Sequence, residues 1–282
     1  MRRLGYHVSI AGGLSTATLE AKALTCNTIQ IFLGPPHTWK FSNFTPEDIE
    51  QFNRERKQLD IDPVVVHAAY LPNPASADDK LWNVSVHYLI SLSKKASEVG
   101  ANGIHFHLGS NPSREGGVER LSEALRKMEE EIPKNGVTIV LETDAGPGNH
   151  VGDNFEEIQE ALSYVKDPSR FGVTIDTCHI FVAGYDIRTE KGVYETIEKF
   201  DQTIGLKYLH TIHANDSKGE LGSHLDRHEH IGEGKIGLAG FKALLNHPKL
   251  KEVPFILETP QTGDTEDDLK DIKTLRKLIK NG

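Results

Sequence analysis

Residues 137–143 read V-T-I-V-L-E-T, a run rich in β-branched and apolar side chains that ends in a carboxylate, Glu142. Apolar residues at consecutive positions suit a strand covered on both faces, as in a parallel sheet wrapped by helices. The pattern recurs on both sides of this run. Candidate strands span 4–9, 28–33, 63–67, 103–108, 171–176, 208–214 and 254–258. Between them lie helix signals. Thr45-Pro46-Glu47-Asp48 places a cap residue before proline at the first helical position, with acids in the first turn. Asp153, with Glu156 three residues on, reads as a second start, and 81–99 and 117–131 carry apolar residues at helical spacing. Eight strands alternating with helices predict parallel pairing through right-handed crossovers. The expectation is one α/β domain over 1–282, a (β/α)₈ TIM barrel with its site at the C-terminal face of the strands. The rival is an open doubly wound sheet. It is weakened because no G-x-G-x-x-G follows the first strand, Ala11-Gly12-Gly13 coming nearest.

Composition narrows the function. The 282 residues hold 32 Lys plus Arg against 41 Asp plus Glu, a formal charge of −9. That balance argues against gripping nucleic acid by a basic surface alone, though not against positive charge supplied by bound metal. Cys26 and Cys178 are too few for a disulfide scaffold or a Cys₄ zinc module, and they suit a reducing cytosol, so a cytoplasmic location is expected. The stretch after Arg2 and Arg3 is broken by glycines and polar residues, and no apolar run approaches the ~20 residues of a membrane span. Neither a signal peptide nor a membrane partner is expected.

The 14 histidines are the compositional oddity. In a barrel, polar residues that end strands line the catalytic mouth. Strand ends supply His67, then His105 and His107, Glu142, Asp176 with His179, then His210, His213 and Asp216, and finally Glu258; the loop before the last strand adds Asp226, His228 and His230. Any one of these, taken alone, is more often a hydrogen-bonded structural histidine or a helix cap than a ligand. Six successive strand ends bearing such groups do not fit that reading, because clustered carboxylates repel unless cations join them. Imidazole and carboxylate without thiolate suit Zn²⁺, with Mn²⁺ or Fe as alternatives. About nine ligands suit two or three ions, and multinuclear sites hydrolyse phosphate esters.

The ordered motifs V-H-A-A-Y-L at 66–71, H-L-G-S at 107–110, L-E-T-D-A-G at 141–146, I-D-T-C-H at 175–179, H-A-N-D-S-K at 213–218, D-R-H at 226–228 and L-E-T-P at 257–260 resemble the endonuclease IV family of apurinic/apyrimidinic DNA-repair endonucleases. The resemblance runs from the first strand to the last. It implies three Zn²⁺ ions, with Mn²⁺ an alternative at one position. His67, His107 and Glu142 would hold one ion; Glu142, Asp176, His213 and Glu258 a second; His179, Asp226 and His228 the third. It implies hydrolysis 5′ to abasic sites in double-stranded DNA, leaving a 3′-hydroxyl and a 5′-deoxyribose phosphate, with Glu142 as bridging ligand and positioner of the attacking hydroxide. Tyr70 and Leu71 match the family's inserting loop. A monomer with no organic cofactor is expected.

The chain also departs from the family pattern. H-P-G-S becomes H-L-G-S, L-E-N-T-A-G becomes L-E-T-D-A-G, and His37 in P-P-H-T-W stands where an Arg is common. His37, Lys40 and Arg227 are the expected DNA contacts, with Arg114, Lys218 and Lys235 as further phosphate contacts. His105 is expected in the barrel interior rather than as a ligand. Two other readings compete. A sugar isomerase or epimerase on a related barrel would lean on carboxylates and one or two ions, and a non-catalytic DNA-binding descendant would have lost ligand residues.

Overall fold

The computed structural model describes residues 2–280 apart from 262 and 264, so the outermost positions of the expected 1–282 unit lie outside the described residues. Seven strands appear first along the chain: β1 (Leu4–His7), β2 (Thr28–Phe32), β3 (Val64–His67), β4 (Gly103–His107), β5 (Thr138–Glu142), β6 (Phe171–Asp176) and β7 (Leu209–His213). A short arm follows, β8 (Asp216–Ser217) paired antiparallel with β9 (His228–Glu229), and then β10 (Phe255–Leu257). Among the described residues β1–β7 and β10 close into an eight-stranded barrel, each pair parallel. This is the (β/α)₈ architecture expected from the alternation.

The helices α1 (Leu14–Ala23), α2 (Pro46–Gln58), α3 (Asp79–Glu98), α4 (Arg114–Glu131), α5 (Phe155–Ser163), α7 (Glu190–Thr203), α8 (Gly237–Asn246) and α9 (Thr265–Leu278) form the outer layer, while the short α6 (Thr177–Val182), buried along its length, follows β6 directly. Their apolar sides pack on the outward side chains of the strands, such as Ile104, Phe106, Ile139 and Leu141, all essentially fully buried.

Local chemistry explains most boundaries. Thr45 accepts from Asp48 N, the cap expected at α2, and the Asp48 carboxylate accepts in turn from Thr45 N. Asp153 does not cap α5. Its carboxylate is engaged by Arg114, and Asn154 caps instead, accepting from Glu157 N at 3.0 Å. Helix α4 starts at Arg114, before the expected 117, because Ser113 accepts from Gly116 N; the Gly116-Gly117 pair hides that start in the sequence. Strict alternation fails twice among the described residues, since β6 is followed by both α6 and α7, and β7 by the β8–β9 arm before α8.

Register sets the site. His107 pairs with Glu142, and Asp176 with His213, so four candidate ligands lie side by side at the ends of β4 to β7. Between β6 and β7 the register slips, with Val173 opposite Leu209 and Thr174 opposite Thr211. His210 is the extra residue, and it turns inward against His105, where Gly103 and Gly172 leave room for its ring.

Candidate metal centre

At the C-terminal mouth of the barrel four groups of side chains offer ligand atoms within 4.8 Å of one another, three of them without a cysteine. The first is His67, His107 and Glu142; the second Glu142, Asp176, His213 and Glu258; the third His179, Asp226 and His228. All nine residues singled out from the strand ends and the D-R-H loop are brought together. Glu142 belongs to two of the groups. Glu142 and Asp176 are fully buried, and among the described ion pairs the four carboxylates meet only imidazoles.

The imidazoles are oriented from behind. His67 donates from Nδ1 to Ala68 O at 2.7 Å and turns Nε2 to Glu142 Oε2 at 3.0 Å. His179 donates from Nδ1 to Thr143 O at 2.7 Å and turns Nε2 to Asp226 Oδ1 at 3.3 Å. His228 donates from Nδ1 to Glu258 O at 3.1 Å, leaving a buried Nε2 without a hydrogen-bond partner, 3.4 Å from Asp226 and 3.7 Å from Asp176. A backbone carbonyl that takes the Nδ1 proton fixes the tautomer and aims the Nε2 lone pair at a cation. His213 is reversed. Its Nδ1 lies 2.8 Å from Glu142 Oε1 and 3.5 Å from Glu258 Oε2.

Charge balance follows from this crowding. Burial works to lower the His213 and His228 pKa values, but Glu258 and Glu142 beside the first and Asp176 and Asp226 beside the second push each up to about 9. His179 is raised well above the usual imidazole range for the same reason, against its burial, by Asp176 and Asp226. Burial alone would raise Glu142, yet His213 and His107 hold it well below the carboxylate range. Protons on imidazoles do here what bound cations would do. Cys178 lies near Asp176 and His228, but burial pushes its thiol up to about 12, so it offers no thiolate.

The other expected contacts lie around the mouth. Tyr70 is 56% exposed and braced edge-on by Phe32, with His37 beside it. Leu71 is half-buried next to it, and Lys40 and Arg227 are exposed. Arg114 must be removed from the phosphate contacts, because its guanidinium is forked onto Asp153 and Glu157. Lys218 and Lys235 also have carboxylate partners, Glu229 at 3.7 Å and Glu220 at 2.7 Å. His224 and His230, the histidines flanking the D-R-H motif, are bonded to Ala145 O and Asp271. His105 lies in the barrel interior, as expected, 3.2 Å behind His213.

Three residues of the site had no role in the sequence reading. Asn215 donates to Asp176 Oδ2 at 2.6 Å and accepts from Glu258 N. Gln30 and His7 reach Glu258 from β2 and β1. Strand-end position marks His7, but an amide such as Gln30 carries no metal-ligand signature.

A family profile described as a xylose isomerase-like TIM barrel matches residues 19–280. The chain is 42% identical over 277 residues to a probable endonuclease 4 of Halothermothrix orenii, covering 98% of this chain and 99% of that one. An apurinic-apyrimidinic endonuclease of Caenorhabditis elegans is 39% identical over 263 residues, 92% of this chain and 66% of that protein. Endonuclease IV from Thermus thermophilus has a crystal structure that matches with a TM-score of 0.86 at 34% identity, over 98% of both chains.

Proposed function

Because the chain belongs to the endonuclease IV family of nucleases, we propose that it hydrolyses the phosphodiester on the 5′ side of abasic sites in double-stranded DNA. The products are a 3′-hydroxyl and a 5′-deoxyribose phosphate. The observation that carries the reading is the convergence of five imidazoles and four carboxylates at one barrel mouth, in three groups of which two share Glu142.

These residues fit divalent ions. The donor set is nitrogen and oxygen only, the carboxylates have no Lys or Arg partner among the described ion pairs, and the buried His228 Nε2 makes no hydrogen bond while facing two carboxylates, Asp226 at 3.4 Å and Asp176 at 3.7 Å. Three Zn²⁺ suit the three groups, with Mn²⁺ an alternative at one of them. Bound there, such ions supply Lewis acidity toward a phosphodiester and lower the pKa of water toward neutrality.

The protein's own side chains do the rest. Glu142 ties the first two groups together, so neither can move independently of the other. Tyr70 and Leu71 stand at the rim as a wedge, Phe32 bracing the tyrosine ring. Below them a cavity of about 390 Å³, lined by Tyr70, His107, Asp144, His150 and Asp226, receives the sugar once it has left the helix. His37, Lys40 and Arg227 lie exposed around this mouth and meet the flanking backbone. One chain supplies the full ligand set, so the monomer is the working unit.

The test is a purified, metal-quantified sample offered a duplex with a single abasic analogue, alongside intact duplex and sugar phosphates. We expect incision 5′ to the lesion, no cleavage of intact duplex, and a fall of ~10³-fold in Glu142→Ala, the scale of losing a preorganised electrostatic group. Turnover of sugar phosphates without incision would overturn the nuclease reading in favour of an isomerase.

A further inference from the structure

Beneath the ligand groups, the barrel interior carries a polar layer where aliphatic residues are the rule. Gln30, fully buried on β2, is its centre. Its Oε1 lies 2.9 Å from His213 Nε2. Its Nε2 donates to Glu258 Oε1 and lies 3.0 Å from His7 Nδ1. A carboxylate only accepts, so the amide nitrogen must face Glu258 and the amide oxygen must face His213. That oxygen in turn only accepts, which places the His213 proton on Nε2 and leaves Nδ1 to face Glu142 and Glu258.

The neighbours agree with this direction. His105 Nδ1 lies 3.2 Å from the same His213 Nε2, a second acceptor, and His105 Nε2 faces His210 Nδ1 at 3.4 Å. The donors therefore run one way, from the mouth into the barrel. Burying an amide costs free energy unless both its ends are bonded. Gln30 bonds both ends to members of one ligand group, His213 and Glu258.

We infer that Gln30 is a positioning residue of the metal centre, one amide that fixes the tautomer of His213 and the rotamer of Glu258 for the ion they share with Glu142 and Asp176. This rests on the metal reading above. His67, His179 and His228 are oriented by backbone carbonyls. His213 depends instead on a side chain, so a single substitution removes its support.

The test compares wild type with Gln30→Met, which keeps length and bulk but makes no hydrogen bond. Both are loaded with zinc, dialysed against graded chelator, and assayed for zinc per chain. The variant should release one ion at roughly 10–100-fold weaker chelation than wild type, the usual effect of losing a ligand's supporting bond, with the other ions retained. Should Gln30→Met fail to fold, Gln30→Asn reads the same release, because the shorter arm cannot reach both ligands. A folded variant with the wild-type release profile overturns the inference alone. Loss of all ions together marks general disruption and overturns it too. A wild type that retains no zinc overturns the metal reading itself.

Discussion

His213 Nδ1 lies 2.8 Å from Glu142 Oε1, and both side chains are fully buried. Without cations, that contact is stable only while the imidazole keeps its proton. His213 and His228 are both raised to about 9, above the ~6.5 of an unfolded histidine. A group whose folded pKa is raised stabilises the fold fully below its unfolded pKa, and the contribution is lost as pH climbs through the folded value. The metal-free chain should therefore melt at least about 3 °C lower at pH 10 than at pH 6.5, the shift that ~1 kcal/mol produces in a domain of this size. Calorimetry on chelator-stripped protein checks this; a midpoint that rises over that range would remove the ion pairs from the account. Ion binding must displace the same protons, so zinc uptake at pH 7 should release acid. At this scale the ligands borne by barrel strands were legible because a period of two and a strand end give each of them an address. Arg114 was misassigned because its partners, Asp153 and Glu157, lie 39 and 43 residues away, and a sequence does not display such pairings.

The β8–β9 arm positions two ligands of the third group, and one buried acid organises it. Asp216 accepts from the backbone N–H groups of Ser217 at 2.8 Å, Gly232 at 2.9 Å and Ile236 at 2.9 Å. The chain thus closes on itself from 216 to 236, with Asp226 and His228 on the enclosed loop. Gly234 is part of the closure, since a Cβ there would come within 2.5 Å of Asp216 Oδ1 and Ser217 O. Asp216→Ala leaves those buried donors without their charged acceptor, a loss of ~3 kcal/mol. We expect a lower melting temperature and one ion fewer per chain, taken from His179, Asp226 and His228, while the His67 and His107 group stays loaded. Unchanged zinc stoichiometry in the variant would show that the arm does not depend on this acid. The arm itself was illegible in the sequence: two-residue strands carry no periodicity, and D-R-H is equally consistent with a solvated turn. The longer barrel strands were legible because each has an apolar run bounded by clear turn or cap signals.

At the scale of the whole molecule, a net charge of −9 has to be reconciled with a polyanionic substrate. Closure of the barrel was readable from the alternation of elements, but the sign of the potential at its mouth is not a property of the chain alone. Four ligand carboxylates contribute −4. In the metal-free protein the raised imidazoles of His67, His179, His213 and His228 offset at most four of these charges, leaving the mouth at about 0 or below. Three divalent ions bring +6, so the loaded mouth carries −4 + 6 = +2, and with those ions the formal charge of the chain falls in size from −9 to −3. The mouth turns positive on loading, and exposed Lys40 and Arg227 then add to a field that already favours phosphate. Stripping the ions should weaken binding of an uncleavable abasic-analogue duplex by about 10-fold or more at ~0.05 M salt. The difference should shrink toward ~0.5 M, where screening acts within a few ångströms. Fluorescence anisotropy on stripped and reloaded protein across that salt range measures it. Equal affinities at every salt concentration would mean that the lysines and arginines of the surface hold the duplex unaided and that the centre serves the chemistry alone.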